Sequence, residues 1–473
     1  MTIDILNLTV EQAHKDLMEG RYTALDLFHA CKKNIDEKNG EVNAFLEVFS
    51  DAEDMAREAD TMIKEGRATM MTGIPVSLKD NILFSGHHAS ASSKMLENYI
   101  APYHGKAVEQ LRTAGAVIMG RTNMDEFAMG SSTESSAYGI TKNPLALDRV
   151  PGGSSGGAAA SVAMGGCLVA LGTDTAGSVR QPAGFCGVVG LKPSYGTISR
   201  SGIMAMGSSL DIVGVIGKTV GCAEEAYQLI SLHDPLDGTS VTEESKQSVS
   251  QKEIKTIGIP RAFVEMEGVT EEVKTRFFES IEKLKQAGYG VLDIELPHVQ
   301  YSLATYYILV PAEVSTNLSR FDGVRFGLSV PGTSPDDSYM KTREAGFGRE
   351  VKRRILLGTY VLSHGYYDAY YNKAVKVRHK ITKEVEDTFS RVDVILTPTS
   401  PAPAFKFGEK QDPLQLYAAD IFTVPANITD MPAISVPNGV NKDGLPLDIQ
   451  IMAPYLQDSA MLSFAGKLEE ILK

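Results

Sequence analysis

Residues 151–157 read Pro151-Gly152-Gly153-Ser154-Ser155-Gly156-Gly157, and residues 174–183 read Asp174-Thr175-Ala176-Gly177-Ser178-Val179-Arg180-Gln181-Pro182-Ala183. The two runs place Ser154 and Ser178 in glycine-rich turns, 178 − 154 = 24 positions apart, with small apolar residues between them. Glycine is used where backbone must take φ > 0 or approach a ligand closely, and successive N–H groups in such turns can converge on one developing negative charge. A serine held there is a candidate nucleophile. A flexible linker is the plainer reading of the first run, but Ala158-Ala159-Ala160-Ser161-Val162-Ala163-Met164 follows it as a helix former. Cys167 to Asp174 reads as a strand that delivers Ser178 to the carboxyl edge of a sheet, where ligands gather in open α/β folds.

Gly152, Ser154 and Gly156 also spell a nucleophile elbow, but that motif needs an apolar strand before it, and Leu147-Asp148-Arg149-Val150-Pro151 is a poor one. It needs a histidine base as well. The histidines stand at 14, 29, 87, 88, 104, 233, 298, 364 and 379, none in a recognisable base motif. Lys79, in Gly73-Ile74-Pro75-Val76-Ser77-Leu78-Lys79-Asp80-Asn81-Ile82, closes a short apolar strand; carried into a buried site, its pKa would fall toward neutrality. Alone, it reads far more readily as a surface lysine on a strand edge.

The three stretches, in this order, resemble the amidase signature family. That resemblance implies a Ser-Ser-Lys triad, with Ser178 as nucleophile, Lys79 as general base and acid, and Ser154, after a cis peptide bond, as the proton relay. It also implies an oxyanion hole from the backbone N–H groups of Thr175, Ala176, Gly177 and Ser178. The family's usual Gly-Gly-Ser is here Ala176-Gly177-Ser178; if position 176 needed φ > 0, alanine would strain the hole.

Four further stretches narrow the resemblance: Thr122 to Glu134, Asn317 to Gly327, Glu350 to Tyr360 and Asp420 to Asn427 are similar to the A-subunit family of aspartyl/glutamyl-tRNA amidotransferases. What this implies is a glutaminase that passes ammonia through a channel to a B subunit, with a small C subunit bracing a heterotrimer. ATP and Mg would be used in the B subunit, which would also hold the misacylated tRNA, Glu-tRNA(Gln) and/or Asp-tRNA(Asn); no cofactor is expected in this chain. Substrate contacts would fall to Tyr307, Arg354, Asp420, Met129 and Ser131, with Arg354 suited to the α-carboxylate of glutamine and Asp420 to its α-ammonium. Apart from the resemblance, these residues read as a helix-face arginine, a capping aspartate and core side chains.

Composition sets limits. A chain of 473 residues, 43% of them hydrophobic, can bury a large core, and its net charge of −13 without a polybasic block argues against a direct tRNA-binding face. Cysteines 31, 167, 186 and 222 lack C-x-x-C spacing and read as small buried hydrophobes, so neither a metal site nor a disulfide framework is expected. The start, Met1-Thr2-Ile3-Asp4-Ile5, has no basic n-region, and no apolar run reaches about 18 residues; a soluble, cytoplasmic protein is expected. Gly217-Lys218-Thr219 ends like a P-loop, but Ile212 stands where the leading glycine is required, so nucleotide binding is rejected.

Thr9-Val10-Glu11-Gln12 and Thr23-Ala24-Leu25-Asp26 open helices as capping boxes, and residues 1–70 read as helical. A signature core follows over 71–232, with strands from Ile74 and at Ala116 to Gly120. Residues 233–252 read as a boundary or surface loop. In the C-terminal α/β part, 253–473, Val273, Phe277, Ile281 and Leu284 recur at helical spacing, predicting a helix over Thr270 to Ala287, and strands are expected at Val392 to Thr397 and Pro446 to Met452. With the family likeness, the expected fold is α/β, one amidase domain over 1–473 built on a single large mixed β-sheet sandwiched by helices. Two other readings stay open: a stand-alone amidase or carbamate-type hydrolase of the same family, favoured by Ala176, and a silent scaffold, disfavoured by the intact Lys79, Ser154 and Ser178.

Overall fold

The computed structural model describes residues 3–410 and 412–473; Met1 and Thr2, which open the stretch read for a leader, lie outside the described residues. Eleven strands form one mixed sheet: β1 (Phe45–Val48), β2 (Pro75–Lys79), β3 (Val117–Thr122), β4 (Val169–Asp174), β5 (Val189–Lys192), β6 (Ile212–Gly217), β7 (Thr256–Ile259), β8 (Gly290–Asp293), β9 (Val394–Pro398), β10 (Ala433–Val440) and β11 (Pro446–Met452). Their order is β1-β3-β2-β4-β6-β5-β10-β11-β9-β7-β8. The expected single mixed α/β sheet is present.

Alternation along the strands shows how helices cover both faces. On β9, Val394 and Leu396 join one hydrophobic core and Ile395 the other; on β10, Ile434 and Val436 face the first and Ala433 the second. Successive side chains on a strand point to opposite faces, so a strand apolar at every position must be covered twice. Val10–Met18, Ala24–Val42, Glu271–Gln286 and Asp458–Leu472 pack on the first face, whereas Ser302–Asn317, Arg349–Val361 and Asn372–Thr388 pack on the second. In Glu271–Gln286 the buried residues are Val273, Phe277, Ser280, Ile281 and Leu284, in keeping with the helical spacing of the apolar positions.

Three local features differ from the sequence expectation. The Thr23 capping box is reciprocal with Asp26, but Thr9 only accepts from Gln12 N–H, because the Gln12 amide turns to Asp16 instead. The mainly helical first seventy residues also contribute β1, antiparallel to β3, a strand too short to show a period. Residues 233–252 include the short helix Glu243–Gln247, and the strands on either side of this stretch belong to the same sheet. No helix among the described residues is long and apolar enough to cross a membrane.

What positions the site is the parallel trio of strands β3, β2 and β4. β2 pairs parallel with both β3 and β4, so Lys79 and Asp174 end neighbouring strands at one carboxyl edge. All four residues of β2 before Lys79 are buried, which carries the lysine into the interior with no solvent contact.

Candidate active site

Lys79 Nζ donates to Ser154 Oγ at 2.7 Å, to Thr173 Oγ1 at 2.9 Å and to the Thr173 carbonyl at 3.1 Å. Burial lowers its pKa to about 7, against the upward pull of Asp125, Asp174 and Asp211. In the neutral amine, two hydrogens can remain on Thr173 while the lone pair faces Ser154. Thr173, which also accepts from Asn81 Nδ2 at 3.1 Å, thereby orients the Lys79 amine. Lys79 and Ser154 are fully buried and Ser178 retains 7% exposure, so of the three only Ser178 opens toward solvent.

The peptide bond Gly153–Ser154 is cis. Gly153 N–H donates to Gln181 Oε1 at 2.9 Å, and Ser155 N–H donates to the Ser178 carbonyl at 3.0 Å, so the two serine runs are bonded to one another. Ser154 Oγ and Ser178 Oγ are not hydrogen-bonded to each other among the described residues. The expected relay thus has its Lys79–Ser154 link and not its Ser154–Ser178 link in this geometry; contacts of this kind commonly tighten only with substrate in place.

The turn before Ser178 is held by a buried ion pair. Asp174 takes Arg180 Nε at 3.1 Å and Nη2 at 3.0 Å, and accepts from the N–H groups of Gly177 and Val179 at 2.8 and 3.1 Å. Burial acts to raise the Asp174 pKa, but the Arg180 guanidinium and the Asn427 amide together hold it well below the usual carboxylate range. Of the four expected oxyanion donors, Gly177 N–H is thus already engaged by Asp174, which leaves the N–H groups of Thr175, Ala176 and Ser178 as candidates. Ala176 is not among the residues with positive φ, so the alanine is unstrained; the left-handed position is Gly177, at φ +117°. A Cβ on Gly177 would stand 2.2 Å from Thr423 Oγ1. Gly177→Ala is expected to lower stability by about 1–3 kcal/mol, seen as a lower thermal midpoint; an unchanged midpoint would show the turn to be pliant.

The expected substrate residues converge in part. Asp420 Oδ2 accepts from Ser131 Oγ at 2.8 Å, and the Ser131 carbonyl accepts from Gln181 Nε2 at 3.0 Å, which connects Asp420 through Gln181 to Gly153. Burial raises the Asp420 pKa to about 7, opposed by Ser131 and the Arg354 charge. Arg354 is buried and donates to Glu350 at 2.9 Å, its guanidinium 5.3 Å from the Tyr307 ring centroid and 5.5 Å from that of Tyr417. Met129 is buried in the same core cluster as Ala176, without a polar contact that would single it out.

Motif reading alone does not reach Tyr417, which stacks on Tyr307 at 3.9 Å and donates to Glu350 at 2.7 Å. Nor does it reach Thr173, or Thr423, whose hydroxyl donates to the Ala176 carbonyl at 2.5 Å. Glu126 lies within a stretch similar to the A-subunit family, yet its part emerges only from the fold. Its carboxyl, raised to about 7 by burial, accepts from Ser93 Oγ at 2.5 Å and from Gly348 N–H at 2.8 Å, where the Arg354 helix begins. The available signal is charge: Asp174 and Arg180 each interrupt runs of mostly small or apolar residues, where an ionised group needs a partner.

Comparison with known proteins identifies the family. A family model described as amidase matches residues 26–462. The A subunit of glutamyl-tRNA(Gln) amidotransferase from Thermodesulfovibrio yellowstonii is 49% identical over 444 residues, 93% of this chain and 92% of the relative. The protein of that name from Thermoanaerobacter pseudethanolicus is 47% identical over 479 residues, 100% and 98% of the two chains. The crystal structure of the Thermotoga maritima protein, likewise the A subunit of glutamyl-tRNA(Gln) amidotransferase, superposes with a TM-score of 0.79 at 40% identity, covering 97% of this chain and 94% of that one. With a matched family model over most of its length and relatives near half identity, the chain is an enzyme that belongs to the amidase family.

Proposed function

We propose that the chain is the glutamine-hydrolysing A subunit of a tRNA-dependent amidotransferase, feeding ammonia to a B subunit that uses ATP and Mg to amidate Glu-tRNA(Gln), Asp-tRNA(Asn) or both, with a C subunit completing a cytoplasmic heterotrimer. The observation that carries the chemistry is the buried, near-neutral Lys79 on Ser154, beside the accessible Ser178. The relatives' shared name supports the assembly.

Glutamine would sit with its α-carboxylate toward Arg354 under Tyr307 and its α-ammonium toward Asp420 and Ser131, with Met129 in the wall. Ser178 Oγ attacks the side-chain amide carbon while its proton passes through Ser154 to Lys79. The carbonyl oxygen becomes the oxyanion, held by the N–H groups of Thr175, Ala176 and Ser178. Collapse breaks the C–N bond, and the Lys79 proton returns through Ser154 to the leaving nitrogen as ammonia. Water, deprotonated by the same route, cleaves the glutamyl ester and frees glutamate.

The pH dependence follows from two groups. Lys79 is a base only when neutral, so kcat/KM should climb as pH rises through about 7. Asp420 attracts the substrate ammonium only when ionised, so the KM for glutamine should increase below about pH 7. Both trends favour the alkaline side. A pH profile flat from about 5 to about 9, with chemistry rate-limiting, would mean another base.

The assembly is tested by reconstituting the chain with B and C subunits and assaying glutamine-dependent amidation of each misacylated tRNA. Amidation that requires this chain supports the reading. No complex, together with rapid turnover of simple amides by the chain alone, would make it a stand-alone amidase or carbamate-type hydrolase.

A further inference from the structure

The helix Arg349–Val361 carries Arg354 into the candidate glutamine site, yet it lacks the usual means of fixing its own start. The N-cap is Gly348, which has no side chain to accept from the N–H groups that follow. The third helical position, where a capping box needs Glu or Gln, is Val351. The one carboxylate of that turn, Glu350, is already bonded to Arg353, Arg354 and Tyr417.

Glu126 supplies the missing group from another part of the chain. Its Oε2 accepts from the Gly348 N–H at 2.8 Å, the contact that a capping-box glutamate makes within its own helix. A Cβ on Gly348 would stand 2.3 Å from that oxygen, so glycine is required here by the approach of the carboxylate and not by the backbone, which lies at φ −73°. The other oxygen, Oε1, accepts from Ser93 Oγ at 2.5 Å, and the residue is buried. Beside it, Phe127 packs on Phe347, the residue before Gly348, with ring centroids 5.7 Å apart. Two adjacent residues of one loop thus grip two adjacent residues at the head of the helix.

The loop is joined in turn to the segments that bear Lys79 and Ser154. Asp125 N–H donates to the Ser154 carbonyl at 3.1 Å, and Ser92 N–H, next to Ser93, donates to Asp80 Oδ2 at 2.7 Å, Asp80 being the residue after Lys79. Ala91, Ser92, Phe127 and Ala128 have φ of 49°, 51°, 48° and 62°, and Phe127 N–H donates to the Ala91 carbonyl at 2.9 Å. Left-handed backbone at non-glycine residues persists where the surroundings over-determine it, and such positions cluster at functional sites. Glu126 stands in the middle of this strained joint.

Resting on the proposed glutaminase reading, we infer that Glu126 is a positioning residue: it caps the Arg354 helix from outside and thereby sets where the guanidinium stands relative to Ser178. It touches neither substrate nor reacting atoms. Arg354 lies within the first two turns of the helix, so a first turn released from its cap displaces the guanidinium that receives the α-carboxylate. Glutamine binding weakens while Lys79, Ser154 and Ser178 are untouched, the pattern of a raised KM with an unaltered kcat.

The test follows glutamine hydrolysis by the full-length chain, alone and with B and C subunits added. Glu126→Ala should raise the KM for glutamine about tenfold, with kcat within about twofold of wild type. Glu126→Gln can still accept from Gly348 through its amide oxygen and donate to Ser93 through its nitrogen, so its KM should stay within about threefold of wild type. Gly348→Ala reaches the same contact from the helix side by pushing the carboxylate away, and should raise KM about as much as Glu126→Ala. In the Glu126→Ala background it should add nothing, because the clash is gone. If Glu126→Ala does not fold, Gly348→Ala alone carries the prediction. A cap that served stability only would lower the thermal midpoint of the alanine variants and leave the KM of the folded enzyme as in wild type, which overturns the proposal. So does a loss confined to kcat, or a Glu126→Gln enzyme as impaired as Glu126→Ala. If the wild-type chain hydrolyses no glutamine in either form, the glutaminase reading itself fails, an outcome distinct from a glutaminase whose KM ignores Glu126.

Discussion

Ser178→Ala will abolish release of ammonia from glutamine, with kcat lower by about four orders of magnitude or more, and will leave the protein folded. On the proposed mechanism Ser178 supplies the attacking oxygen, and no neighbouring serine can take its place: Ser154 is fully buried and bonded to Lys79, and Ser155 donates to the Thr173 carbonyl at 3.3 Å. The fold survives because the turn is fixed by Asp174, Arg180 and Thr423, none of which bonds to the Ser178 hydroxyl. In the reconstituted complex the same variant should lose glutamine-dependent amidation of tRNA yet amidate it with added ammonium salt, since ammonia can reach the partner's site from solution. Retained glutaminase activity would remove Ser178 as nucleophile. Failure of ammonia to rescue a folded, assembled complex would instead break the proposed division of labour.

Arg180→Leu will destabilise the protein by about 3–5 kcal/mol, because it strands the Asp174 carboxylate in the interior without its counter-charge. The guanidinium has no exposure and reaches five acceptors: both Asp174 oxygens, the Thr423 carbonyl at 3.0 Å, and Gln450 Oε1 and Asn427 Oδ1 at 2.6 Å each. Lys192, fully buried nearby with its pKa lowered by burial and by Arg180, cannot substitute, being bonded to the Pro193 and Met431 carbonyls. Chemical denaturation read by circular dichroism measures the loss; a change under about 1 kcal/mol would show that Asp174 takes up a proton and tolerates the site. In wild type the Asp174 pKa is depressed on folding, so its contribution is complete above the unfolded carboxylate value of about 3.9 and fades only as the pH falls through the lower folded value.

The sheet is legible in the sequence where strands are apolar and long enough to show a pattern. β4, β9 and β11 coincide with the apolar runs Cys167–Asp174, Val392–Thr397 and Pro446–Met452, because burial on both faces leaves a continuous apolar stretch. β1 and β8 are not legible: each is four residues long, and β8 lies mostly exposed at the sheet's edge. The strand order, with β10 and β11 inserted between β5 and β9, is set by tertiary packing and leaves no local trace. In the site, the contact between Lys79 and Ser154 joins two stretches that the sequence marks, one by its glycines and one by a lysine closing an apolar strand. The role of Tyr417 has no signal, since its partners Tyr307 and Glu350 are distant in sequence and a tyrosine in a polar stretch can do many things. The engagement of Gly177 N–H by Asp174 is hidden as well, because motif letters do not say which of several backbone donors is already occupied.

Thr423, Asn427 and Gln450 hold a turn that lies some 250 positions earlier in the chain. During synthesis, Lys79, Ser154 and Ser178 all leave the ribosome long before those three residues exist, and the Arg180 guanidinium must wait for its acceptors. A chain that ends before Thr423 therefore carries all three side chains of the proposed triad but lacks the groups that hold the Ser178 turn. On the proposed mechanism, hydrolysis would begin only once the chain has been made through Gln450 on β11, so activity would report a nearly finished polypeptide.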